Sequence, residues 1–413
     1  MSRVASRDKP ASDAIIHDSM SGKTMVSILP LLLTLVLCPC ARSSGTLTVA
    51  AVGDIMMGTT WPEEVLPPQD GAGIFDAVTE SFQGAEIVFG NLEGPLLDGG
   101  EGIKCARNRD PRKSLCYEFR MPARYAGRLE SAGFNTMNIA NNHTFDFGRE
   151  GIESTVGALD NAGIQAVGGD NVASFCTGGK SVAVVGFSYS PPSPNSYPLQ
   201  DVPAAMEIVK ELKEEFDLVL VSFHGGAEGK DASQVRDADE IFAGTNRGNV
   251  VYFARAVIDA GADLVIGHGP HVLRAMEVYK GKLIAYSLGN FLTYGMFNIK
   301  GASGISLVLR ADIDLETGNF TGGSIVPVTL RDGGIPYPDP DRTAIGLVRK
   351  LIGARGIPAG LIVEEDGALT PAPPSLPSQE PVPSPREDDK RGDQISPAGS
   401  FRSSLLAPMN RLR

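Results

Sequence analysis

A layered α/β domain over about residues 46–360 is what this sequence predicts, and three observations carry the prediction. Apolar runs of strand length alternate with segments of helical spacing from Leu47 to Tyr286. Two alternating strands follow late in the chain with a turn between them, adding antiparallel pairing to what the strand–helix–strand units imply. Several of the apolar strands run out into Gly followed by Asn, His or a carboxylate. That is how α/β proteins place chemistry at the carboxyl edge of a sheet.

Leu47-Thr-Val-Ala-Ala-Val is a strand that ends in Gly53-Asp54, so a carboxylate stands directly after it. Ile74 to Phe82 reads as helical and leads to the strand Glu86-Ile-Val-Phe, which ends in Gly90-Asn91-Leu92-Glu93-Gly94-Pro95. An amphipathic helix over about Ala123 to Ser131 precedes a short strand, Thr136 to Ala140. That strand breaks into Asn141, Asn142 and His143 before a helix begins near Gly148, with Ile152, Val156 and Leu159 as its apolar stripe and Gly163 as its stop.

Ser181 to Phe187 is the next strand, and the Pro-rich stretch Ser190 to Pro203 reads as a loop bordering the site. Ala204 to Phe216 is a charged helix feeding the strand Leu218 to Phe223, which stops at His224. Asn249 to Ala260 is helical, and the strand beginning at Leu264 stops at His268. Lys282 to Tyr286 then leads to Ser287-Leu-Gly-Asn-Phe291. Gly304 to Asp314 and Gly322 to Leu330 alternate as a hairpin, and Arg342 to Ala354 closes the domain as a helix.

The chain has five histidines, and His17 lies in an N-terminal extension over residues 1–45. The other four, His143, His224, His268 and His271, all follow apolar strand-like runs. Convergence of these imidazoles on one rim with Asp54 and Glu93 makes the usual ligand set for a divalent metal ion. The plainer alternative is a set of satisfied loop histidines beside Asn turns.

A formal net charge of -12 argues against a nucleic-acid partner, because phosphate neutralisation needs a basic face. Met25 to Leu37 is an apolar run of 13 residues between Lys23 and a stretch of small residues at Ala41 to Gly45. It has the length of a signal-peptide core and predicts an extracytoplasmic protein, secreted or anchored through residues 25–37. Cys105 and Cys116 flank a loop holding four of the chain's positive charges in ten residues. A disulfide there and two unpaired thiols are both open readings. Pro371 to Pro385 holds seven prolines in fifteen residues, so residues 361–413 are expected to be a disordered Pro/Ser-rich tail.

Six stretches taken together resemble the bacterial capsule synthesis protein family CapA: Val52-Gly-Asp-Ile-Met-Met-Gly, Asn91-Leu-Glu-Gly-Pro, Asn138-Ile-Ala-Asn-Asn-His-Thr-Phe-Asp-Phe-Gly, Phe223-His-Gly-Gly-Ala-Glu, Gly267-His-Gly-Pro-His-Val-Leu and Tyr286-Ser-Leu-Gly-Asn-Phe. The resemblance implies a calcineurin-like metallophosphoesterase fold, a four-layer α/β/β/α sandwich, with one or two divalent metal ions at the sheet edges. By motif, Asp54, Glu93, Asn142, His143, His224, His268 and His271 correspond to metal ligands. His143, His224 and Asn142 also correspond to catalytic or phosphate-contacting groups. Met56 stands where ordinary metallophosphoesterases carry a histidine, and Gly225 replaces the usual bulky residue after His224.

The resemblance implies a protein that assists synthesis or export of an anionic capsular polymer, poly-gamma-glutamate by family association, beside membrane synthase subunits. A metal-dependent hydrolase of phosphoesters or polymer amide bonds, and a non-catalytic scaffold of the synthase, are the alternatives.

Overall fold

The computed structural model describes residues 45–107, 116–190, 196–354 and 360–373. The apolar run at 25–37 and the extension that carries it lie outside the described residues. Among the described residues no helix is long and apolar enough to cross a membrane.

The first part of the chain runs β1 (Thr46–Met56), β2 (Ile87–Leu92), α1 (Ala126–Ala132), β3 (Thr136–Asn138), α2 (Gly148–Asn161) and β4 (Gln165–Val167). The middle runs β5 (Ala173–Thr177), β6 (Lys180–Ser188), β7 (Tyr197–Pro198), α3 (Val202–Glu215), β8 (Leu218–His224), β9 (Ile241–Phe242), β10 (Thr245–Asn246), α4 (Val250–Ala260) and β11 (Leu264–His268). Then come β12 (Met276–Tyr279), β13 (Lys282–Ala285), β14 (Asn290–Thr293), β15 (Ile305–Asp314), β16 (Phe320–Arg331), β17 (Ile335–Pro338), α5 (Thr343–Ile352), β18 (Leu361–Val363) and β19 (Ala368–Pro371).

Two sheets result. The larger has ten strands in the order β18-β19-β16-β15-β1-β2-β3-β4, with β14 beside β1 and β17 beside β16. The smaller has seven, in the order β12-β13-β11-β8-β6-β5, with β7 beside β6.

The strands' two-residue period builds four layers from these sheets. In β1, Leu47, Val49 and Ala51 join one apolar cluster with Val182 and Val184 of β6 and Leu218 and Leu220 of β8, so this cluster lies between the sheets. The alternate residues face outward. Ala50 and Val52 pack with Leu129 of α1 and Leu159 of α2, while Val185, Val219 and Val221 pack with Val209 of α3 and Phe253 of α4. This is the expected α/β/β/α sandwich. Strands buried on both faces read as continuous apolar runs, which is why β1, β6, β8 and β11 were prominent in the sequence. Side-chain caps begin two of the outer helices: Asp201 accepts from Ala204 N at 3.2 Å and Asn249 from Tyr252 N at 3.0 Å.

Two expectations change and one open reading is decided. Ile74 to Phe82 is a series of turns with a 3-10 segment only at Thr79–Phe82, not a helix. Its apolar residues Ile74, Phe75, Val78 and Phe82 are buried all the same, in the outer cluster beside α1. The first residues of the tail expected from 361 are structured, because Leu361–Val363 pairs with Ala368–Pro371 and the latter pairs with β16. The rest of the expected tail, from residue 374, lies outside the described residues. Cys105 and Cys116 form a disulfide, which decides between the two open readings.

Candidate metal centre

β1 changes partners midway. Through Ala51 it pairs antiparallel with β15, and from Asp54 it pairs parallel with β14. Its register with β2 also shifts between Ala51 and Asp54. Gly53 makes the hand-over possible, since a Cβ there would stand 2.0 Å from Gly289 O. Asp54 N can therefore donate to Gly289 O at 2.9 Å, and the irregularity re-aims the Asp54 side chain. Asn91 of β2 and Asn290 of β14 lie opposite Asp54, and Asn138 of β3 lies opposite Asn91. In the other sheet β8 and β11 end in register, His224 opposite His268. The carboxyl ends of parallel strands from both sheets thus meet at one place.

His271 is the link across it. Its Nδ1 lies 3.0 Å from Asp54 Oδ2 and 3.1 Å from Asn290 Oδ1, while its Nε2 is 3.6 Å from Glu93 Oε1. Both neighbours of Nδ1 are acceptors, so Nδ1 carries the proton and Nε2 faces Glu93. Its backbone is left-handed, with φ 58°, a conformation that costs about 1–2 kcal/mol for a residue with a side chain. Asp54 Oδ1 is 3.6 Å from His268 Nδ1, and Glu93 Oε1 is 3.9 Å from His224 Nε2. Ligand atoms of Asp54, Glu93 and His271 all lie within 4.8 Å of one another.

Asn91 organises the network behind these residues. Its amide nitrogen donates to Asp54 Oδ1 at 2.8 Å and to His224 Nδ1 at 3.3 Å. Its carbonyl accepts from Asn138 at 2.7 Å and from Asn141 at 3.2 Å. Because an amide nitrogen only donates, His224 Nδ1 is an acceptor and its proton sits on Nε2, toward Glu93.

Asp54, Glu93, His224 and His268 are all 0% exposed. Burial alone raises a carboxyl, but the hydrogen bond to His271 and the nearby charge of His271 and His268 hold Asp54 well below the usual carboxylate range. Glu93 accepts no hydrogen bond, and burial, only partly opposed by the charge of His271, pushes it well above that range. Burial lowers His224 well below an ordinary imidazole. For His271 burial also lowers, yet the charge of Glu93 and the hydrogen bond to Asp54 prevail and raise it to about 10.

The two remaining expected residues are placed differently. His143 Nδ1 is 2.7 Å from Asp146 Oδ2, and Asp146 Oδ1 pairs with Lys104 Nζ at 3.1 Å. That second contact is an ion pair rather than an aligned hydrogen bond. Phe119 covers the imidazole, ring centroids 4.4 Å apart, and burial lowers the pKa of His143. Asn142 Oδ1 is buried and accepts no hydrogen bond. Met56 is fully buried in the outer apolar cluster, so it offers nothing to the centre.

The family model for the bacterial capsule synthesis protein PGA_cap matches residues 48–294, a span that holds every residue just described. The chain belongs to this family. It is 30% identical over 311 residues to the capsule biosynthesis protein CapA of Bacillus anthracis, covering 70% of this chain and 71% of that one. It is 29% identical over 272 residues to the PGA biosynthesis protein CapA of Bacillus subtilis strain 168, covering 60% of this chain and 64% of that one. Among solved structures, a phosphatase from Mycoplasma pneumoniae aligns over 73% of this chain and 98% of its own, with 13% identity and a TM-score of 0.43.

In this PGA_cap chain the centre fits a divalent cation by its orphaned atoms. Glu93 Oε1 and Oε2, His224 Nε2, and both ring nitrogens of His268 are buried without a hydrogen-bond partner. Each such atom costs about 1–3 kcal/mol unless something else takes it up. A mixed carboxylate and imidazole set suits zinc, manganese, iron or cobalt rather than an all-oxygen calcium site. Asn91, Asn290 and Asp146 carried no expectation of a role. Their signal was the Gly-Asn pair at Gly90-Asn91 and at Gly289-Asn290 and the Asp three residues after His143.

Proposed function

We propose that this PGA_cap protein is a metal-dependent hydrolase of capsular-polymer synthesis, acting outside the cytoplasm on the polymer's amide bonds. One observation carries the reading: fully buried carboxylates and imidazoles from both sheets converge while five of their oxygen and nitrogen atoms lack hydrogen-bond partners. The relatives' names, capsule biosynthesis and PGA biosynthesis, support poly-gamma-glutamate as the polymer. The apolar run at 25–37 and the Cys105–Cys116 disulfide support an oxidising, extracytoplasmic setting.

Asp54, Glu93, His268 and His271 would hold the ion. When bound, it supplies Lewis-acid polarisation of a carbonyl or phosphoryl oxygen and a water acidified toward neutrality. The chain's own groups supply the rest. Asn91 fixes Asp54 and His224 in orientation, and His224 Nε2 presents a proton near Glu93. Asp146 holds the proton of His143 on Nδ1, leaving Nε2 as the base that moves a proton to or from a leaving group.

The test is metal content of the purified chain by elemental analysis, beside turnover of poly-gamma-glutamate, a phosphomonoester and a phosphodiester. Stoichiometric metal with shortening of the polymer is expected. A natively folded chain that takes up no divalent ion overturns the reading and leaves a binding role at the synthase.

A further inference from the structure

Arg247 is only 7% exposed, yet it directly follows the β9–β10 hairpin, whose strand residues are exposed or half-buried. Its guanidinium carbon lies 3.9 Å from the centroid of the Tyr189 ring and 5.2 Å from that of Phe242, so two aromatic faces clamp it. Tyr189 in turn stacks on His224, centroids 6.0 Å apart, which sets the guanidinium beside the metal centre. One nitrogen, Nη1, meets Glu228 Oε1 at 2.5 Å. Nε is buried and has no partner at all.

The scaffold around it is rigid. Arg274, fully buried, bonds both carboxylate oxygens of Glu240 at 2.7 and 2.8 Å, and Arg247 N donates to Glu240 O at 2.7 Å. Gly225 completes the approach: a Cβ there would stand 2.9 Å from Arg247 O and 2.6 Å from Leu199 Cδ2. The small residue after His224 is what lets this hairpin close against the end of β8. Charge from the pair also reaches the centre, Glu228 acting on Glu93 and His271, and Arg247 on His224.

We infer that Arg247, clamped by Tyr189 and Phe242, anchors a carboxylate-binding subsite beside the metal centre, with Glu228 as the internal carboxylate that a substrate's carboxylate displaces. A fixed planar fork with an unused donor edge matches a planar carboxylate in two hydrogen bonds. Glu228 already demonstrates the pairing. The inference rests on the proposed polymer, whose every residue carries a free α-carboxylate, and it makes that group the feature that positions the chain for cleavage.

Binding of a γ-linked glutamate tetramer and of its α-carboxamide counterpart is measured by calorimetry with the full chain, so no turnover is required. Arg247→Ala is expected to weaken the tetramer about 10- to 100-fold, with Arg247→Lys intermediate and the carboxamide indifferent to both. Glu228→Gln, which removes the competing charge but keeps the shape, is expected to tighten the tetramer and keeps the test intact should Arg247→Ala fail to fold. Unchanged binding in both variants, or no tetramer binding by the wild type, overturns the inference. So does inorganic phosphate binding as tightly with the same Arg247 dependence. Loss of metal or turnover with tetramer binding intact strikes the hydrolase reading alone.

Discussion

Two polar clusters sit at the edge of the larger sheet, and they differ in where their members come from and in what those members do for one another. Asp54, Glu93, His224, His268 and His271 are drawn from both sheets, and five of their buried atoms have no partner. Lys104, His143 and Asp146 come from loops on one side and pair through Asp146, at 2.7 Å to His143 and 3.1 Å to Lys104. Orphaned ligand atoms suit an ion that supplies the missing partner. An imidazole already oriented by a carboxylate suits proton transfer. A histidine at a strand end is thus not one kind of residue, and its second neighbour decides which kind it is.

The sharpest test of that division is removal of the bridge. Asp54→Ala or His271→Ala is expected to abolish stoichiometric metal and all turnover, whereas His143→Ala keeps its metal by elemental analysis. Loss of metal in His143→Ala would merge the two clusters. Next, His143→Ala and Asp146→Asn are expected to slow turnover about 10²- to 10⁴-fold at constant metal content, the usual worth of a positioned proton donor. Equal rates in variant and wild type would remove that role.

Asn91→Ala touches the centre only from behind, so a metal affinity about 10- to 100-fold weaker is expected, with binding retained at high metal. A titration that matches the wild type would show that Asp54 and His224 hold their orientation unaided. The smallest effect concerns protons. His271 is raised to about 10, so it holds a second proton at neutral pH and must give it up to ligate through Nε2. Metal affinity should therefore rise with pH, and calorimetry in buffers of different ionisation heat should read proton release on loading. His143, whose pKa burial lowers, adds nothing to that release.

Much of this was legible in the sequence because buried parallel strands announce themselves as unbroken apolar runs. Asp54, Glu93 and the four histidines stood out because each follows such a run. Asn91 did not, since an amide has no chemistry until its four partners are known. Arg247 was equally silent: it stands 23 residues beyond the end of β8, and its position depends on the chain after the β9–β10 hairpin folding back over Gly225. Ile74 to Phe82 misled because a chain of turns can bury the same spacing of apolar residues as a helix. Leu361–Val363 was masked by the prolines that follow, and three residues become a strand only when a longer neighbour such as β16 stabilises the hairpin they join.

Asp54 and His271 share a hydrogen bond across 217 residues of chain. No fragment released early from a ribosome holds both halves of the centre, and joining them requires closing a loop of most of the domain. An ion that binds only the finished arrangement then acts as a latch, adding stability in proportion to the logarithm of its concentration. An ion that enters this centre is accordingly drawn from the supply around the chain when Asp54 and His271 meet, not from that around its first strands.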